Sequence, residues 1–270
     1  MKVNCFIFTA LPCEAKPFIA HFKLKKSQTP QPFSIYTGER QVLVVAGSGK
    51  ISMAAAVAYA LAKFPAIENP VLINAGIAGH QTAALGELFN AHKITDADSG
   101  KNFYPQLITK NTCPSLPVYT VSKPETQYQN DCLYEMEASG FFEIATRFTT
   151  AELIQVFKVV SDNQISGIEG INAKKVTEWL ALQVEEIAAM IQPLQTLADE
   201  QSQSTQRYYA DLLERYHFTV SSQHQLKAQL QRWDVLTNHA ELDFSTHEFR
   251  NGKAVLQWLN KQIESQTFKL

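Results

Sequence analysis

The chain has 270 residues, enough for one large domain or for a domain of ordinary size with a smaller appendage. Hydrophobic residues make up 45% and charged residues 19%, the balance of a folded globular protein and not of a disordered one. The net charge is -2 and no cationic cluster exists beyond Lys23, Lys25 and Lys26, so the electrostatic footprint of a nucleic-acid binder is missing and no such partner is expected.

Residues 3–8 are rich in β-branched and aromatic side chains and read as a first core strand. A signal peptide is a poorer reading of residues 3–11, because a single Lys precedes them, Asn4 lies inside and Pro12 stands where a small cleavage-site residue is needed. Pro12 instead opens a helix with apolar positions Ala15, Phe18, Ile19 and Phe22. Residues 33–36 and 41–46 flank Thr37-Gly38-Glu39 as a hairpin would, and an Ala-rich helix is expected over 53–64. Residues 71–75 form a nearly continuous apolar run, as a strand buried on both faces would, and end in Gly76-Ile77-Ala78-Gly79.

Further strands are expected at 87–92, 118–122 and 153–160, with a helix over 136–148 and a turn-rich surface loop over 96–117. Asn172 is placed to cap a helix whose apolar positions are Val176, Trp179, Leu180, Ile187 and Ile191. Alternation of this kind predicts an α/β domain with a mainly parallel sheet covered by helices. After Pro193 Gln and Ser residues accumulate and Gly252 is the last glycine, so a helical extension over 196–270 is expected beyond a domain over 1–195. Cys5, Cys13, Cys113 and Cys132 lie far apart without a C-x-x-C pair, which suggests neither a zinc site nor a disulfide framework and fits a reduced, cytoplasmic setting. No apolar run approaches the ~18 residues of a membrane span, so no membrane partner is expected.

Several short motifs carry chemistry. Gly47-Ser48-Gly49-Lys50 is not a phosphate-binding loop, which needs Gly where Val44 stands and Ser or Thr at Ile51; a dinucleotide fingerprint needs a third Gly at Ser52. It reads as a glycine turn at a strand end, able to bring backbone amides to a ligand or simply to turn the chain. Glu135-Met136-Glu137-Ala138 places two carboxylates at a helix start, where acidic residues also serve as ordinary caps. Ser161-Asp162 puts an acid directly after a buried strand, where a turn cap is the plainer role.

Taken together, Thr9-Ala10-Leu11-Pro12-Cys13-Glu14-Ala15, Gly47-Ser48-Gly49-Lys50, Asn74-Ala75-Gly76-Ile77-Ala78-Gly79, Tyr134-Glu135-Met136-Glu137-Ala138 and Lys158-Val159-Val160-Ser161-Asp162 make the chain resemble the nucleoside phosphorylase and nucleosidase superfamily. The nearest branch is the methylthioadenosine/S-adenosylhomocysteine nucleosidases. The resemblance implies a three-layer α/β/α sandwich around a mixed sheet, no metal or cofactor, a nucleoside as ligand and a homodimer. It implies Glu14 as the group that activates water and Asp162 as the acid that protonates the base. Gly47, Ile77, Ala78, Gly79, Glu135, Met136, Glu137, Lys158 and Ser161 are implied to surround the substrate, with Glu137 on the ribose hydroxyls.

Ile77 stands where these enzymes usually carry Ser, and Lys158 where they usually carry Arg. The aromatic stretch that stacks on adenine is shortened to Thr120-Val121-Ser122-Lys123-Pro124, leaving Phe103 and Tyr104 as alternative stacking groups. Arg40 and Arg147 are the only arginines before residue 200 and lie outside the motifs, which favours hydrolysis over phosphorolysis. Two other readings stay open: a phosphorylase taking phosphate as co-substrate through Lys16, Arg40 or Lys158, and a non-catalytic nucleoside-binding module.

Overall fold

The computed structural model describes residues 3–64, 69–108, 113–237, 240–244 and 247–266, the side chains of 202–207 and 224 excepted. The chain divides into two compact units, Met1–Ala198 and Asp199–Leu270. The first contains β1 (Cys5–Thr9), α1 (Pro12–His21), β2 (Lys25–Lys26), β3 (Ser34–Thr37), β4 (Gln41–Val45), α2 (Lys50–Lys63) and β5 (Val71–His80). It continues with β6 (Leu88–Asp96), β7 (Asn102–Phe103), β8 (Ser115–Thr120), β9 (Leu133–Glu135), α3 (Ala138–Ala145), β10 (Ile154–Asn163) and the start of α4 (Ala173–Arg215).

The strand order is β10-β6-β8-β9-β5-β1-β4-β3-β2, and β10 also pairs with β5. Strands β5, β9, β8, β6 and β10 therefore close a ring, from which β1, β4, β3 and β2 extend. The expected mainly parallel sheet is corrected to an evenly mixed one, with five parallel and five antiparallel pairings. Three of the antiparallel pairings, β2–β3, β3–β4 and β6–β7, join strands consecutive in the chain through short connections. Parallel neighbours joined in sequence need a long crossover, whereas short connections favour antiparallel pairing.

Alternation along β1 sends its side chains into two cores. Phe6 and Phe8 meet Val42 and Val44 of β4 and Met53, Ala56 and Val57 of α2, together with Phe141 of α3. Cys5 and Ile7 face the other way, into Phe18 of α1 and Val176, Leu180 and Ile187 of α4. Fully burying side chains of this size contributes roughly 1.5–3 kcal/mol each. These two contacts fix the ends of β1, β5 and β10 relative to the helices that start beside them.

Asn172 caps α4 as expected, its Oδ1 accepting from the N–H groups of Lys174 and Lys175 at 3.1 Å each. The helix does not end near Pro193. It runs for 43 residues to Arg215, and the division between the two units falls inside it. Gln and Leu, abundant past Pro193, are good helix formers, so the composition change there marks no loop.

The second unit holds the rest of α4, α5 (Val220–Thr237) and α6 (Gly252–Glu264). Its core is its own: Leu212, Leu226, Leu230, Trp233, Val255 and Leu259 are buried together. Phe244, Phe249 and Trp258 close one side of it, with ring centroids 5.0–6.4 Å apart. Asn251 Oδ1 caps α6 by accepting from Ala254 N at 3.0 Å. Among the described residues no helix is long and apolar enough to cross a membrane.

Candidate active site

Glu14, Glu137 and Asp162 line a single cavity of about 290 Å³, with Ile77, Tyr134 and Met136 among its other walls. Each carboxylate arrives from a different element. Glu14 sits in the first turn of α1 and folds back on its own start. Its Oε2 accepts from the N–H groups of Ala10 and Leu11 at 2.8 Å each, and Oε1 accepts from Ile77 N at 3.0 Å. Burial pushes the Glu14 carboxyl up to about 7, against the Leu11 hydrogen bond and the Lys158 charge that favour ionisation.

Glu137 is the N-cap residue of α3, but its carboxylate does not cap that helix. Oε1 reaches the glycine turn and accepts from Gly49 N at 2.8 Å and Ser48 Oγ at 3.3 Å. Gly49 has φ of 96°, a region L side chains rarely adopt, and this directs its N–H at Glu137. Burial, then the neighbouring Glu135 charge, raises the Glu137 carboxyl above its usual range.

Asp162 lies at the end of β10, just past a bulge. Val160 pairs with Ala78 and Asp162 with Gly79, so Ser161 is an extra residue. Bulges re-aim side chains in this way. Asp162 Oδ1 accepts from the Ser161 hydroxyl and Oδ2 from the Tyr128 hydroxyl. Gly79 is required opposite: a Cβ there would lie 2.5 Å from Asp162 Oδ2 and 2.6 Å from Tyr128 Cε1.

Of the other residues read from the sequence, Ile77, Ala78, Gly79, Glu135, Met136 and Ser161 line the cavity, whereas Gly47 and Lys158 do not. Gly47 shapes the turn, its N–H donating to Ala10 O at 3.0 Å. Lys158 is buried and its Nζ lies 2.8 Å from Glu135 Oε2. Glu135 is further engaged by Thr120 Oγ1 at 2.6 Å and by the N–H groups of Glu137 and Ala138 at 3.0 and 2.8 Å. The pair thus anchors the start of α3 and presents Met136 and Glu137 to the cavity, a positional role in place of the expected substrate contact for Lys158. Replacing Lys158 by Met leaves Glu135 as a buried, unpaired charge, and a loss of about 3–5 kcal/mol is expected. The shift of the urea midpoint measures it, and an unchanged midpoint would contradict the anchoring role.

Phe103 and Tyr104 do not supply a stacking surface here. Phe103 packs on Phe142 with centroids 5.7 Å apart, and Tyr104 is 63% exposed. The aromatic wall comes from Tyr134, whose ring meets Tyr119 at 5.8 Å and Tyr128 at 5.6 Å. Sequence reading gave Tyr134 no role and missed Tyr128; the one available signal was the shortened stretch at 120–124, which left an aromatic function unfilled. Lys50 is held by Asp96 and Asp98 at 2.7 and 2.6 Å, so it is spoken for and does not serve the glycine turn as a phosphate ligand. Among the described residues no group of three or more His, Cys, Asp or Glu side chains is placed to hold a metal ion.

No protein-family profile and no curated protein sequence matches the chain. Solved structures do. A Streptococcus pneumoniae MTA/SAH nucleosidase in complex with 8-aminoadenine is similar at a TM-score of 0.59 and 19% identity, over 70% of this chain and 99% of that one. The Colwellia psychrerythraea MTA/SAH nucleosidase in complex with adenine is similar at 0.58 and 17%, over 72% and 95%. A Helicobacter pylori futalosine hydrolase mutant is similar at 0.57 and 11%, over 72% and 99%. The chain has the nucleoside phosphorylase/nucleosidase fold. The nucleosidase-fold neighbours are covered almost whole, so part of this chain lies beyond the shared nucleosidase fold.

Proposed function

We propose that the chain hydrolyses the N-glycosidic bond of a purine or modified nucleoside. The observation that carries this is the convergence of Glu14, Glu137 and Asp162 on one cavity wall. As the C1′–N bond breaks, its electron pair goes to the base and positive charge develops on the ribose, so the reaction needs a proton for the base and negative charge near the sugar. Asp162 gives the proton. Glu137 accepts from the ribose hydroxyls, against the apolar wall of Met136. Glu14 takes a proton from the water that attacks C1′; a carboxylate held near pH 7 is suited to act as a base at neutral pH. The three N–H donors on Glu14 fix its orientation and leave one lone pair, on Oε1, for that water.

Hydrolysis is favoured over phosphorolysis because no Lys, Arg or His lines the cavity among the described residues. A phosphate dianion needs such donors. This reading takes the protein as a cytoplasmic, cofactor-free homodimer with a catalytic domain over 1–195 and a helical extension over 196–270. The separate cores support the division, and the helices on both faces of β1 support the family's layered sandwich. The test is base release from a nucleoside panel by the purified full chain, with and without phosphate. Release independent of phosphate is expected; phosphate-dependent release would identify a phosphorylase, and binding without cleavage a nucleoside-binding module.

A further inference from the structure

Tyr128 lies outside every motif and is buried to 2% exposure. Its ring is held against Tyr134, and its carbonyl accepts from Gln164 Nε2 at 3.3 Å. The hydroxyl is thereby aimed at Asp162 Oδ2, in space that only a glycine at 79 leaves free. We infer that Tyr128 is the positioning residue of the acid: its hydroxyl orients Asp162 and stabilises the carboxylate left behind when the proton passes to the departing base.

The inference rests on the hydrolase reading. In the step, the Asp162 O–H bond breaks, an N–H bond forms on the base, and the C1′–N electron pair stays with the base. Tyr128 keeps its own proton throughout; burial, then the adjacent carboxylate, raises its phenol well above the ordinary value. A hydrogen bond to an ionised acceptor is stronger than one to the neutral acid. Tyr128 therefore favours the product side of the transfer. Ser161 supplies the matching bond to Oδ1, so both oxygens are served.

Tyr128→Phe removes only the hydroxyl. On a purine nucleoside, which needs a protonated base to leave, kcat is expected to fall roughly 10- to 100-fold with little change in KM. On 4-nitrophenyl riboside, whose leaving group departs as a stable anion, the rate is expected to stay at the wild-type level. In an Asp162→Asn background the same change is expected to cost nothing more on the nucleoside. Equal losses on both substrates, an unchanged nucleoside rate, or a full additional loss in the Asp162→Asn background would each overturn the role of Tyr128 while leaving the hydrolase reading intact. Base release from no nucleoside by the wild type would overturn both.

Discussion

Asp162→Asn is expected to lower turnover by about 10²–10⁴-fold, the usual cost of losing a general acid. The amide is nearly isosteric and keeps one oxygen for the Ser161 or Tyr128 hydroxyl, so the pocket should hold its shape. What it lacks is a proton that can be given to a leaving nitrogen. Affinity for a non-hydrolysable nucleoside analogue, measured by calorimetry, should therefore stay near the wild-type value while base release collapses. Wild-type turnover in this variant would remove Asp162 from the chemistry.

Glu14→Gln is expected to have a loss of the same order, about 10²–10⁴-fold, because the amide cannot accept the proton of the attacking water. The wild-type pH profile carries the independent check. A base must be ionised to act, and burial holds the Glu14 carboxyl at about 7. kcat/KM should thus rise with pH through that region and level off above it. In Glu14→Gln the residual rate should lose this acidic limb. A limb that survives the substitution belongs to another group.

How much of this was legible in the sequence differs from element to element. Strand β1 and helix α1 were readable because a β-branched and aromatic run gives way at Pro12 to helical spacing, and both signals are local. Strand β5 was longer than expected, running to His80 through Gly76 and Gly79, because glycines that read as a turn are there to admit Glu14 and Asp162 close to the backbone. Strand β9 went unseen since three residues offer no period. The three carboxylates were found through motif order, not through any physical signal each carries alone. Lys158 was assigned to the substrate through the resemblance alone, since spacing along β10 does not tell which way a buried cation turns; its partner is Glu135, on another strand. Tyr128 was missed for a similar reason, as its segment has no periodicity and its partner is 34 positions away.

The cavity is lined by carboxylates and by no Lys, Arg or His among the described residues; the nearby Lys158 charge is paired with Glu135 behind it. This gives the site a preference among ligands. A nucleoside enters neutral, whereas its phosphorylated form brings one or two negative charges toward the carboxylates of Glu14 and Glu137. At 4 Å each like-charge pair costs about 1 kcal/mol in a water-like medium and about 4 kcal/mol in a partly shielded one. Such repulsion is expected to disfavour nucleotides without any residue built to recognise them. On the hydrolase reading, the electrostatics suited to a cationic transition state are thus also expected to act as a filter against phosphorylated nucleosides.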